Sequence, residues 1–252
     1  MQCLYSIFLL YKKGLKMGNK TIGTLLGLAV TLVLAGCVTA AATRKPTVPI
    51  NKVALVSLSV SNWRGMVSGT AGDAKAEELI NSTLFGLVVF TENKLSGFMH
   101  VTRLSSFIGN AGYRSLGVKN ELGLMLPKVN GMHVELFSTS NDDVIAADLK
   151  PEVARKLCAD LHVDAVVVVY SEWAAAQGHF VPTRKALAKN VVSVWDRNGE
   201  LVFNKRVDEM GDAVIGGPYV TVVNVGTIKQ WSIAYNKSFE QIAKEMKAAL
   251  KS

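Results

Sequence analysis

Cysteine is scarce: Cys3, Cys37 and Cys158 are the only three among 252 residues. Two of them fall within the first 37 positions, so the body of the chain holds one thiol and cannot close an internal disulfide. Cys158 sits among the apolar residues of a predicted helix, where a thiol packs as a small inert hydrophobe. Histidine is scarce too, and His100, His133, His162 and His179 have no second histidine or cysteine at ligand spacing, which removes the usual zinc patterns. There is no Gly-x-Ser-x-Gly, no His-Glu-x-x-His and no dinucleotide fingerprint. The glycines of residues 62–72, Gly65, Gly69 and Gly72, lack the Gly-Lys-Ser/Thr ending of a phosphate loop and read as turns. Asn141-Asp142-Asp143 is acidic but lacks the spacing of a calcium loop, and reads as a turn or helix cap. No catalytic residue, cofactor or metal ligand is therefore assigned, and the expectation is a protein that is not an enzyme.

Basic charge is in excess, at +8. Lys12, Lys13, Lys16 and Lys20 precede position 37 and no acid does, so a chain cut there carries +4. The remaining lysines are spread out, without arginine runs or interleaved aromatics, so no nucleic-acid partner is implied. Such a cut removes 36 residues and leaves 216, enough to bury a core without staples.

No apolar run reaches the ~20 residues of a spanning helix; the run 22–34 is the nearest approach. A basic flank, a short apolar core and small residues at its end make an export signal. Leu34-Ala35-Gly36-Cys37 resembles the lipobox of bacterial lipoproteins. That resemblance implies signal-peptidase recognition at Leu34, Ala35 and Gly36, a diacylglyceryl group on the Cys37 thiol, and acylation of the new amino terminus by a fatty acid such as palmitate. Val38, where an aspartate would signal retention at the inner membrane, implies the outer membrane by similarity to enterobacterial sorting. Met17 gives a signal of more ordinary length than Met1 and is the start that the pattern favours. Residues 1–36 are thus read as signal peptide, 37–51 as a flexible tether, and 52–252 as one periplasmic domain.

Residues 52–60 read as a first strand, its second half alternating serine with Val or Leu and so showing one more exposed face. Residues 73–93 read as a helix capped by Asp73 and apolar on nearly all sides. Residues 98–103 form a second strand with His100 on its polar face. The section 104–148 reads as turns and short helices. Pro151 opens a helix to Leu161, and residues 163–170 form a β-branched run typical of a strand buried on both faces. A looser segment, 174–188, leads to strands at 191–195 and 201–205, joined by Asp196-Arg197-Asn198-Gly199 as a hairpin. Residues 211–226 are left as an insertion, a further hairpin or an interaction loop. Trp231, Tyr235, Phe239, Ile242, Met246 and Leu250 recur at helical spacing and predict a final helix with a core face. The expected fold is α/β, a mixed sheet of about five strands with helices packed on it.

The stretches Leu161-His162-Val163-Asp164-Ala165-Val166-Val167 and Trp195-Asp196-Arg197-Asn198-Gly199-Glu200-Leu201-Val202 carry a further resemblance. They are similar to signatures of the periplasmic α/β lipoproteins related to the curli-secretion protein, to the peptidoglycan-synthase activator lipoproteins, and to the amino-terminal domain of the Tol-system propeller protein. The chain departs from the curli pore in showing no pair of long lipid-facing hairpins, residues 214–225 being the one candidate.

The resemblances imply a lipid-anchored envelope protein that binds protein partners or copies of itself in a secretion or cell-wall machine. A ring-forming component of an export channel and an envelope hydrolase with a site built in space stay open as alternatives.

Overall fold

A computed structural model of the protein describes residues 49–61, 74–177, 183–217 and 224–251. Residues 34–37, the segments read as signal and most of that read as tether, the glycines of 62–72, Asp73, His179 and residues 218–223 lie outside the described residues. The chain parts into units 1–40 and 41–252, and every described element belongs to the second.

In chain order the elements are β1 (Lys52–Val60), α1 (Ala74–Ser96), β2 (His100–Thr102), α2 (Leu104–Phe107), α3 (Ala111–Leu116), β3 (Lys128–Val129), β4 (Met132–His133), α4 (Asn141–Ile145), α5 (Pro151–Leu161), β5 (Ala165–Gln177), β6 (Arg184–Asp196), β7 (Leu201–Gly216) and α6 (Val225–Lys251). The main sheet has the order β2-β1-β5-β6-β7. β2, β1 and β5 run parallel, while β5, β6 and β7 form an antiparallel meander. The expected α/β domain with a mixed five-stranded sheet is the one observed.

β5 is the middle strand, and its first half is buried on both faces, as a continuous β-branched run requires. α6 covers one face. Its Trp231 stacks on Trp173 at 6.0 Å, and Asn190 of β6 donates to the Tyr235 carbonyl at 3.0 Å. α1 packs beside α6 through an edge-to-face contact of Phe90 with Phe239 and a 2.7 Å hydrogen bond of Thr91 with Tyr235. α4 and α5 cover half of the other face. Ser193 of β6 donates to the Ala147 carbonyl, and Cys158 lies under the Trp195 carbonyl.

Several expectations are corrected. Ser57 and Ser59 are buried rather than exposed, because the section 104–148 closes that edge of the sheet. There Ser57 donates to the Glu135 carbonyl at 2.8 Å, the Tyr113 hydroxyl donates to the Val56 carbonyl at 2.8 Å, and Val60 and Met125 exchange backbone hydrogen bonds. α1 is not apolar all round in its packing: Leu84, Leu87, Val88 and Leu95 are buried, but Phe85 is 43% exposed.

The looser segment 174–188 is strand on both sides of residues 178–182. β5 continues to Gln177 and β6 begins at Arg184, paired from Gln177↔Arg184 down to Ala165↔Asp196. Alanines and basic residues have little preference for strand, so here cross-strand pairing and packing override propensity. Trp231 contributes by donating to the Ala174 carbonyl at 2.8 Å. Residues 211–216 extend β7, giving a 16-residue strand. β5, β6 and β7 thus form one long antiparallel meander, its strands 13, 13 and 16 residues long.

The far edge of the sheet, along β7, is guarded by α6. Ser238 donates to the Val207 carbonyl at 2.8 Å, Gln230 accepts from the Ala213 N–H at 2.8 Å, and Lys205 pairs with Glu245 at 2.8 Å. Gly211 permits this approach, since a Cβ there would stand 2.8 Å from the Gln230 carbonyl oxygen.

Candidate interaction surface

β5, β6 and β7 outrun the rest of the sheet. Val60, the last residue of β1, pairs with Ser171, and β5 continues six residues further. Over this arm, registers place side chains in cross-strand rows. On the face turned to α6 lie Trp173, Ala188 and Asn190, all buried.

On the opposite face the rows are Tyr170–Val191–Arg206, Glu172–Lys189–Asp208, Ala174–Leu187–Met210 and Ala176–Lys185–Val214. Met210 is 50% and Val214 52% exposed, while Ala174 and Leu187 are half-buried. An apolar row on an outward sheet face is thus bordered by a charged one. Lys189 pairs with Glu172 at 2.6 Å, and Arg206 grips Asp208 through two nitrogens at 2.8 and 2.9 Å. The Asp208 hydrogen bond pushes Arg206 above its ordinary range, so its charge is permanent. Burial, with the Glu172 charge second, pushes the Tyr170 hydroxyl up and keeps it a neutral donor.

Among the described residues, those singled out from sequence stand on separate elements, and His179 lies outside them. His100 is exposed at the start of β2, as expected for a polar strand face. The exposed His133 ring lies 3.2 Å from the Leu126 carbonyl. His162 ends α5 in the left-handed conformation, with φ at 51°. Among the described residues no three His, Cys, Asp or Glu side chains could hold a metal ion. Asn141-Asp142-Asp143, read as a turn or helix cap, is the first turn of α4, and the cap itself is Ser140, which accepts from the Asp143 N–H. Cys158 is buried, and desolvation pushes its thiol up to about 12, as an inert thiol requires. No helix among the described residues is long and apolar enough to cross a membrane.

No protein family matches the chain. No curated protein matches it either. Solved structures show distant similarity. CT253 of Chlamydia trachomatis is 13% identical at a TM-score of 0.36, over 80% of this chain and 98% of that one. PelC of Paraburkholderia phytofirmans, a dodecamer, is 12% identical at 0.32, over 84% and 95%. Lipoprotein GNA1162 of Neisseria meningitidis is 14% identical at 0.32, over 78% and 99%.

Sequence reasoning missed the arm face. Its one signal is the charged–apolar alternation Arg206-Val207-Asp208, which marks a strand with one face turned to solvent. The pairing that aligns Ala174, Leu187 and Met210 spans more than 30 residues and leaves no local trace.

Proposed function

We propose that the chain is a lipid-anchored, non-enzymatic envelope protein that binds a protein partner, or a second copy of itself, through the open face of the β5–β6–β7 arm. The anchor is Cys37, on the strength of the lipobox, and the outer membrane is its location, on the strength of Val38. The observation that supports binding is the half-exposed apolar row Ala174–Leu187–Met210 beside the preset charge pairs of Glu172, Lys189, Arg206 and Asp208. Apolar centres with polar rims are the ordinary anatomy of protein interfaces. Charged side chains already held in pairs lose little freedom on docking.

The test is a photo-crosslinking side chain at Leu187 or Met210 in intact cells, compared with one at exposed Ser115 of α3. A discrete adduct from the arm and none from α3 supports the reading; equal or absent labelling overturns it. The anchor is tested separately. Cys37→Ser should remove incorporated palmitate and shift the protein from membrane to soluble fraction, and a chain that stays in the membrane without acyl groups has another anchor.

A further inference from the structure

The end of the sheet where the chain enters the domain is built alike from charge and backbone. Lys52 and His100 stand side by side in register, the Asp164 N–H donates to the Lys52 carbonyl, and the Arg197 N–H donates to the Asp164 carbonyl. Arg155 of α5 reaches the same corner, donating to the Asn198 carbonyl at 3.1 Å. α6 brings its last turns there too. It runs antiparallel to β7, from Gln230 beside Ala213 to Glu245 beside Lys205, so residues beyond Glu245 lie level with the start of β7. Lys244 and Lys247 are exposed in these turns.

The carboxylates of this end are largely taken up internally. Asp196 is fully buried and accepts from the N–H groups of Asn198 and Glu200, both at 2.9 Å. Asp164 accepts from Asn51, Lys52 and Arg197, and Glu245 pairs with Lys205. Glu152 is exposed on the first turn of α5, and Glu200 is half-buried. Against these and the half-buried Asp160 of α5 stand Lys52, Arg155, Lys244 and Lys247, while Arg197 is taken up by Asp164; the remaining charge of this end is positive in excess.

The opposite end is the arm tip, six residues or about 20 Å beyond β1 at the usual strand rise. Cys37 and Asn51 are separated by thirteen residues, and the fourteen steps between them span at most about 50 Å when extended. Such a tether holds the domain near a membrane without fixing which end faces it. A basic surface at the tether's entry point can fix it, since each lysine or arginine near an anionic lipid surface strengthens binding about fivefold.

We infer that this basic end docks on anionic phospholipid headgroups, so that the domain stands with its entry end on the membrane and the open arm face directed away. The inference rests on the reading of Cys37 as a lipid anchor and adds the orientation to it.

The experiment uses the lipidated chain in vesicles of phosphatidylcholine alone or with phosphatidylglycerol. A nitroxide is attached at Ala248→Cys, near the basic end, or at Val214→Cys, near the arm tip; buried Cys158 leaves the introduced thiol as the reactive one. A relaxing metal chelated to lipid headgroups reports proximity. The expected result is strong relaxation at position 248 and little at 214 in the phosphatidylglycerol vesicles. High salt, or the combined Arg155→Glu, Lys244→Glu and Lys247→Glu changes, should abolish the difference while circular dichroism stays unchanged. Equal relaxation at the two positions, or a contrast indifferent to lipid charge, overturns the inference. The mass of the amino-terminal peptide reports the anchor independently: a chain without acyl groups should still show the contrast on excess phosphatidylglycerol vesicles, and an acylated chain without it overturns the docking while the anchor stands.

Discussion

Asp164 and Arg197 lock one end of the sheet together. One carboxylate oxygen of Asp164 lies 2.5 Å from the Arg197 guanidinium, while the other accepts the N–H groups of Asn51 and Lys52, each at 2.9 Å. The carboxylate thus ties the first strand to the middle one, and the arginine holds the carboxylate from the β6–β7 turn. Asp164→Ala should cost about 2–3 kcal/mol, since it strands two backbone donors and an arginine at once. Arg197→Ala should cost under about 1 kcal/mol, because the guanidinium is half exposed and water replaces its contact. Urea unfolding of both variants checks the ranking; equal losses would place the main strength in the ion pair instead.

Gly199 should not tolerate a side chain. Its φ is +75°, and an added Cβ would stand 2.4 Å from the Pro151 carbonyl oxygen, a backbone atom that cannot step aside. Gly131 has a similar φ of +79° with open space around it. Gly131→Ala should therefore cost about 1 kcal/mol from backbone strain alone, and Gly199→Ala roughly 2–4 kcal/mol from strain and overlap together. Thermal melts of the two alanine variants separate conformation from crowding.

Tyr113→Phe should destabilise by about 2–3 kcal/mol, although it removes a single oxygen. That hydroxyl donates to the Val56 carbonyl and accepts from the Glu135 N–H at 3.0 Å, so its loss unsatisfies two backbone groups at the closed edge of the sheet. Hydrogen exchange at Glu135 should accelerate in the variant while that of β6 stays slow.

Cys158 supplies a pH prediction. Burial raises its folded thiol from the ordinary 9.0 to about 12, so the unfolded chain releases this proton first. The folded state holds its full advantage from this group below about pH 9 and loses it as pH rises toward about 12. Cys158→Ala should flatten the alkaline limb of the stability curve. In the native protein the thiol should react with a disulfide reagent only at the rate of unfolding.

Leu187→Thr combined with Met210→Lys should leave the fold within about 1 kcal/mol of the parent, because both side chains lie on the open face and no like charges are set opposite each other. Complex formation should weaken at least tenfold, as measured by recovery of the adduct from a photo-crosslinking side chain moved to exposed Val214. A variant that binds as before would move the interface elsewhere.

Elements whose residues interact with near neighbours were legible. Pro151 with its following apolar stripe delimits α5 without error, and the six-residue stripe from Trp231 to Leu250 gives α6 its core face. Asp196-Arg197-Asn198-Gly199 announces its turn because Gly199 alone supplies the positive φ. The arm was illegible for the converse reason. Ala174, Ala175 and Ala176 become strand only because Leu187, Ala186 and Lys185 pair with them and Trp231 covers them.

The sequence by itself determined the class of fold and the central strand, since these depend on composition and periodicity. Only the tertiary structure decided which serines of β1 are buried, how the section 104–148 closes one edge, and where an apolar row stands open on the other side. Those properties depend on pairings between residues tens of positions apart. Asp164 and Arg197, 33 positions apart, meet for that reason.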